Sequence, residues 1–145
     1  MKISIASDHR GIKRKEEIIN YLKKQNIEIL DLGPNSEESV DYPVYAFKVC
    51  ESINKHETDL GILLCGTGIG MSIAANKVKG IRCAKVTNVH DTVLTREHNN
   101  ANVIALSANE SLLKTKKIVN AFVNTKFSND KRHIRRIEML ENYDN

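Results

Sequence analysis

Apolar positions fall in short runs separated by amphipathic stretches, so a period near two alternates with a period near 3.6 along the chain. Ile3 and Ile5 mark a β-prone run from Lys2 to Ser7. Beyond Asp8-His9-Arg10-Gly11, Ile12, Ile18, Ile19 and Leu22 recur at helical spacing in a charged stretch. Ile27 to Leu32 reads as a second strand, closed by the turn cluster Gly33-Pro34-Asn35-Ser36. Tyr42 to Lys55 carries Tyr42, Tyr45, Ala46, Val49 and Ile53 three and four apart, with Pro43 tolerated in the first turn of a helix and Asp41 as its cap. Asp59 to Cys65 is a continuous apolar run, the pattern of a strand covered on both faces of a parallel sheet.

The alternation continues past Gly66-Thr67-Gly68-Ile69-Gly70. It predicts a helix over Met71–Lys77, a strand over Gly80–Val86, a helix around His90–His98 and a strand over Asn102–Leu106. Glu110–Val123 is amphipathic, and a basic helical tail runs from Lys131 to Tyr143. Strands alternating with helices imply parallel pairing with right-handed crossovers, hence a three-layer α/β/α open sheet of about five strands with a C-terminal helix. Ligands of such sheets bind beyond the carboxyl ends of the strands, which directs attention to the loops beginning at Asp8, Cys65 and Thr87.

The length of 145 residues fits a single domain spanning 1–145. Its 41% hydrophobic and 28% charged content is that of a folded chain and is too apolar for disorder. No apolar run approaches the roughly 20 residues of a membrane span. Met1-Lys2-Ile3-Ser4 lacks the apolar core of a secretory signal, so a cytoplasmic protein with no membrane partner is expected. Cys50, Cys65 and Cys83 are odd in number and lack C-x-x-C spacing, which argues against a disulfide framework and a structural zinc. The formal charge of +4 suggests anionic ligands. With 5% aromatics, no Trp and no recognised binding module, nucleic acid is not the expected partner. The five histidines and their neighbouring acids contain no H-x-x-x-H or clustered-carboxylate pattern, so no metal site is expected.

Gly66-Thr67-Gly68-Ile69-Gly70 follows a buried strand and opens a helix, so its amides can converge on an anion while missing side chains permit close approach. The third glycine comes one residue too early for a dinucleotide fingerprint, and no Walker lysine follows. Cys65 ends that strand immediately before the helix, where the positive end of the dipole favours a thiolate. Cys50 and Cys83 read instead as packed structural thiols. Asp8-His9 can serve proton transfer or phosphate binding beside Cys65 if their strands are neighbours, or merely cap the next helix. His98-Asn99 ends a helix and reads equally as functional or solvent-facing. Arg132 and Arg136, four apart with His133 beside the first, can fork a phosphate or form a solvated helix end. Cys65 as base, the Gly66–Gly70 amides with the Thr67 hydroxyl as oxyanion clamp, and the basic tail as handle would together suffice to move a proton on carbon beside a carbonyl.

In order along the chain, Asp8-His9-x-Gly11, Asp41-Tyr42-Pro43, the run Cys65 to Lys77, Arg96-x-His98-Asn99-x-x-Asn102 and Arg132-His133-x-x-Arg136 resemble the type B ribose-5-phosphate isomerases. The long segment from Cys65 is specific to that family and its galactose-6-phosphate and allose-6-phosphate relatives. The resemblance implies a Rossmann-like sheet and a cofactor-free aldose–ketose isomerase of the pentose phosphate pathway, with its site at a homodimer interface and tetramers an open option. Transferred residue by residue, it makes Cys65 the base between C1 and C2, and makes Thr67 and the amides of Gly66, Gly68, Ile69 and Gly70 the enediolate stabilisers. His98 opens the furanose ring with Asp8 assisting, Tyr42 and Asn99 contact sugar hydroxyls, and His9, Arg132 and Arg136 hold the phosphate. Family members with a glutamate base place it where this chain has Met71 or Ser72, so the cysteine version applies. Arg10, where a small residue is more usual, and Asn129-Asp130-Lys131, in place of a glycine-rich approach, leave the preferred sugar open. The alternatives are a six-carbon sugar phosphate or a catalytically silent sugar-phosphate-binding subunit.

Overall fold

The computed structural model describes residues 1–143; the last two positions of the expected 1–145 domain lie outside the described residues. Five parallel strands, β1 (Lys2–Ser7), β2 (Glu28–Asp31), β3 (Leu60–Cys65), β4 (Cys83–Lys85) and β5 (Val103–Ser107), lie in the order β2-β1-β3-β5-β4. The described residues also form six helices: α1 (Ile12–Lys23), α2 (Tyr42–Asn54), α3 (Ile69–Asn76), α4 (Val89–Asn99), α5 (Leu112–Asn124) and α6 (Lys131–Glu141).

Direction of travel across the sheet decides which face each helix covers, because parallel crossovers are right-handed. The β2→β3 and β3→β4 connections run one way and put α2 and α3 on one face. The β1→β2 and β4→β5 connections run the other way and put α1 and α4 on the opposite face, with α5 between them and α6 along α4. Burial follows the pleat. Ile62 and Leu64 of β3 join Ile3, Ile5, Ile104 and Leu106 against Ile18 and Leu22 of α1 and Ile118, Val119 and Phe122 of α5. Leu63 and Cys65 turn the other way, with Ala6 and Ala105, onto Ala46, Val49 and Cys50 of α2 and Met71, Ala74 and Ala75 of α3. The run that looked uniformly apolar is therefore an alternating strand with two dry faces, and the parity of position 65 aims the cysteine at the α2–α3 layer.

The expected element order stands, with ends shifted by a few residues. The largest change is the fourth strand, which shrinks from 80–86 to Cys83–Lys85. Gly80 turns at φ +86°, and the amide of Arg82 bonds the Asn102 side chain at 2.8 Å rather than a neighbouring strand. The sheet reverses direction between β1 and β3, so the loops after these two strands flank the switch point as expected. The Thr87 loop does not, because β4 is an edge strand. Among the described residues no helix is long and apolar enough to cross a membrane.

Candidate active site

β1 and β3 are hydrogen-bonded neighbours with Ser7 opposite Leu64, so the chain leaves both strands at one place. The Asp8 amide bonds the Leu64 carbonyl at 2.9 Å, setting Asp8 and His9 beside Cys65. Cys65 is 7% exposed, more enclosed than a reactive thiol was expected to be, but it sits at the strand mouth with the Gly68 amide donating to its Sγ at 3.1 Å. That bond fixes the sulfur at the N-terminus of α3. Cys50 and Cys83 differ: burial pushes each thiol up to about 12, so both stay protonated at neutral pH.

Gly68 makes this loop possible. Its φ of +81° is unfavourable for any residue with a side chain, and a Cβ there would lie 3.0 Å from the Leu106 carbonyl carbon. Ser107 Oγ and Asn109 Nδ2 hold the Gly66 carbonyl at 2.7 and 3.1 Å, which fixes the peptide that leaves Cys65. The cradle differs from the expectation in one respect. The Gly68 amide is committed to Cys65 and the Ile69 amide to Thr67 Oγ1 at 3.1 Å, so not all the loop amides face an incoming oxyanion. The amides of Gly70 and Met71, in the first turn of α3, have no intrahelical acceptor. Tyr42 covers this turn: a Cβ on Gly70 would stand 2.8 Å from its ring, so only glycine lets the phenol lie so close.

Asp8 Oδ1 accepts from the amides of Arg10 and Gly11 at 2.9 and 3.0 Å, so the capping role foreseen as the alternative is real. His9 Nδ1 accepts from the Val40 amide at 3.2 Å, which places the ring proton on Nε2 as a donor for an anion. Asp41 precedes α2 without a side-chain cap bond; its carbonyl takes the Val44 amide instead.

The remaining expected residues lie elsewhere. α4 runs antiparallel to the strands and, over its 11 residues, descends about 16 Å to the opposite edge of the sheet. His98 and Asn99 therefore stand where β5 begins, whereas Cys65 pairs with Ser107, where β5 ends. The His98 ring stacks on His133 of α6 with centroids 4.3 Å apart and planes at 17°. The Asp130 carboxylate caps α6 through the Arg132 amide at 2.9 Å, and Arg132 and Arg136 are exposed beside this pair. The candidate residues thus fall into two groups on opposite edges: Asp8, His9, Tyr42 and the Cys65–Gly70 loop on one, His98, Asn99, Arg132 and Arg136 on the other. Within one chain the basic tail lies beside His98, at the edge opposite Cys65. Ser107, Asn109 and Val40 were not singled out by their sequence context, since each acts through a bond to a residue distant along the chain. Among the described residues no three His, Cys, Asp or Glu side chains come together as a metal site requires.

The family model described as Ribose/Galactose Isomerase matches residues 3–140. A Bacillus subtilis protein named putative sugar phosphate isomerase is 43% identical over 99% of this chain and 97% of its own. The crystal structure of a ribose 5-phosphate isomerase from Thermotoga maritima superposes with a TM-score of 0.94 at 48% identity, covering 98% of both chains. A Mycoplasma genitalium ribose-5-phosphate isomerase B with bound ribulose-5-phosphate superposes with a TM-score of 0.93 at 43% identity, covering 98% of this chain and 95% of that one. Matched by this family model over residues 3–140 and sharing fold and length with these proteins, the chain is an isomerase of the ribose/galactose isomerase family.

Proposed function

We propose that the protein interconverts ribose 5-phosphate and ribulose 5-phosphate through an enediolate with Cys65 as the base, all of its one domain serving this reaction. The observation that carries the reading is the Gly68 N–H on Cys65 Sγ at the mouth of α3, which holds the sulfur beside first-turn amides able to hold an oxyanion. The similar Mycoplasma structure with ribulose-5-phosphate bound supplies the substrate class. His98 opens the furanose with Asp8 assisting. The Cys65 thiolate then takes the proton from C2, the C2–H electron pair forms the C1=C2 bond, and negative charge moves onto O1. The enediolate, held by Thr67 and the amides of the Gly66–Gly70 loop, passes the O2 proton to O1, and the Cys65 thiol returns its proton to C1. Tyr42 and Asn99 take the sugar hydroxyls. His9 Nε2–H, Arg132 and Arg136 take the phosphate.

These groups act together when a second copy, related by a two-fold axis, brings its His98 edge to the Cys65 edge of the first. Apolar surface for such pairing is present near both half-sites: Tyr42, Ile69 and Ile73 on α2 and α3, and Met139, Leu140 and Tyr143 at the end of α6, are all exposed. Free thiols at Cys50, Cys65 and Cys83 suit the reducing cytoplasm. Turnover by the purified protein on ribose, allose and galactose phosphates tests the reading. The expected result is highest kcat/KM on ribose 5-phosphate. Preference for a six-carbon substrate moves the assignment within the family, and no turnover on any of them leaves a silent binding subunit.

A further inference from the structure

A lysine buried among apolar side chains stays only where something answers its charge. Lys15 lies at the end of the first turn of α1, on the face formed by Ile12, Ile18, Ile19 and Leu22, and is 1% exposed. Its ammonium donates to Asp31 Oδ1 at 2.7 Å and to the Pro34 carbonyl at 2.9 Å. Asp31 Oδ1 also accepts from the Gly33 amide at 2.9 Å, and the Gly33 carbonyl accepts from the Ser7 amide at 3.0 Å, one residue before Asp8. One cation therefore gathers the end of β2, the turn after it and the exit of β1.

The segment fastened in this way, residues 32–41, is mostly exposed between positions 35 and 41 and has little packing of its own. Its far end does two things at the site. The Val40 amide holds His9 Nδ1, and Asp41 leads directly into Tyr42 over Gly70. Cys65 and Thr67 are secured by different bonds, from the Gly68 and Ile69 amides, and the Gly66 carbonyl by Ser107 and Asn109. Loosening 32–41 would thus disturb the groups that grip the substrate and leave the reacting groups in place.

We propose that Lys15 is a positioning residue that sets substrate affinity by tying the 32–41 segment, and through it His9 and Tyr42, to the β1 exit. This rests on the reading that His9 and Tyr42 contact the sugar phosphate. A merely structural lysine makes a different prediction: its loss lowers the fraction of folded enzyme, which reduces apparent kcat and leaves KM alone.

The test compares Lys15→Met with the double variant Lys15→Met/Asp31→Asn, which removes both charges and keeps an oxygen for the Gly33 amide. Removing both charges of an ion pair costs less than leaving one of them buried and unpaired. In Lys15→Met, KM for ribose 5-phosphate is expected to rise at least about tenfold while kcat per folded molecule stays within about threefold. In the double variant thermal stability is expected to return toward that of the parent while KM remains raised. Hydrogen exchange gives a readout independent of turnover: the Val40 amide loses protection in both variants, whereas the Gly68 amide keeps it. A folded double variant with parental KM and a protected Val40 amide overturns the proposal. Failure of the parent enzyme to turn over ribose 5-phosphate counts against the functional reading instead, and the Val40 measurement still decides the tether.

Discussion

Replacing Cys65 by serine removes the thiolate but keeps an acceptor for the Gly68 amide, whereas alanine removes both. The sulfur is one heavy atom on a side chain that is 7% exposed. Its deletion to alanine costs about 1 kcal/mol of transfer free energy, comparable to a buried methylene. The abandoned Gly68 donor costs about 1–3 kcal/mol more. In a chain of 145 residues each kcal/mol moves Tm by about 3 °C, so Cys65→Ala should melt about 6–12 °C below the parent. Cys65→Ser should melt only a few degrees below it. The catalytic loss is expected to be the same in both, because a positioned base contributes about 10²–10⁴ in rate, or about 3–5 kcal/mol of barrier. Ketopentose formation from ribose 5-phosphate, read alongside thermal melts by circular dichroism, separates the two effects. If Cys65→Ser turned over within tenfold of the parent, the sulfur would not be the base and the proton would have to leave C2 by another group.

Three further outcomes are expected. Iodoacetamide at neutral pH should modify Cys65 ahead of Cys50 and Cys83, because a thiol pushed up to about 12 is ionised to only about one part in 10⁵; peptide mass spectrometry showing Cys83 labelled first would contradict this. His133 is held below the usual histidine pKa by burial and then by the neighbouring His98 charge. A depressed histidine pKa means the unfolded chain binds the proton more readily, so stability falls as pH drops through about 6.5 toward the folded value; His133→Phe should flatten Tm against pH in that window. Cys65→Ala and His98→Asn chains, each inactive alone, should recover about a quarter of parental activity when unfolded and refolded together in equal amounts, since half the dimers are mixed and each holds one whole site. Activity no greater than that of the separate variants would place both residues in the same chain's site.

The fold was legible wherever burial imposes a period. Ile3 and Ile5, the run from Leu60 to Cys65, and the i, i+3, i+4 spacing of Tyr42, Tyr45, Ala46 and Val49 report the contacts their side chains make. Lys15 broke that logic, because a charge on a core-facing stripe looks like a solvated position until Asp31 and the Pro34 carbonyl are seen to meet it. The short fourth strand was misjudged for a related reason. Ile81 is apolar and buried, yet the neighbouring Arg82 amide spends its bond on a side chain rather than on the sheet.

The division of the site was harder to read, although the signal was present. The family resemblance implies a site between two copies and the periodicity does not, yet in a parallel α/β sheet position along an element also fixes an edge. Residues just after a strand lie at the carboxyl edge, where Asp8, Cys65 and Gly66 are found. Residues in the last turn of a crossover helix lie at the amino edge, as His98 and Asn99 do two strand-ends away from Cys65. Arg132 follows α5 down to the same amino edge, where the Ser128 amide bonds the Glu97 carbonyl at 3.2 Å and the Arg96 guanidinium bonds the Thr125 carbonyl at 3.1 Å. Candidate residues of one reaction that sort onto both edges cannot close on a small substrate within one chain. The two-copy site proposed above is the arrangement that brings His98 and Arg132 to Cys65.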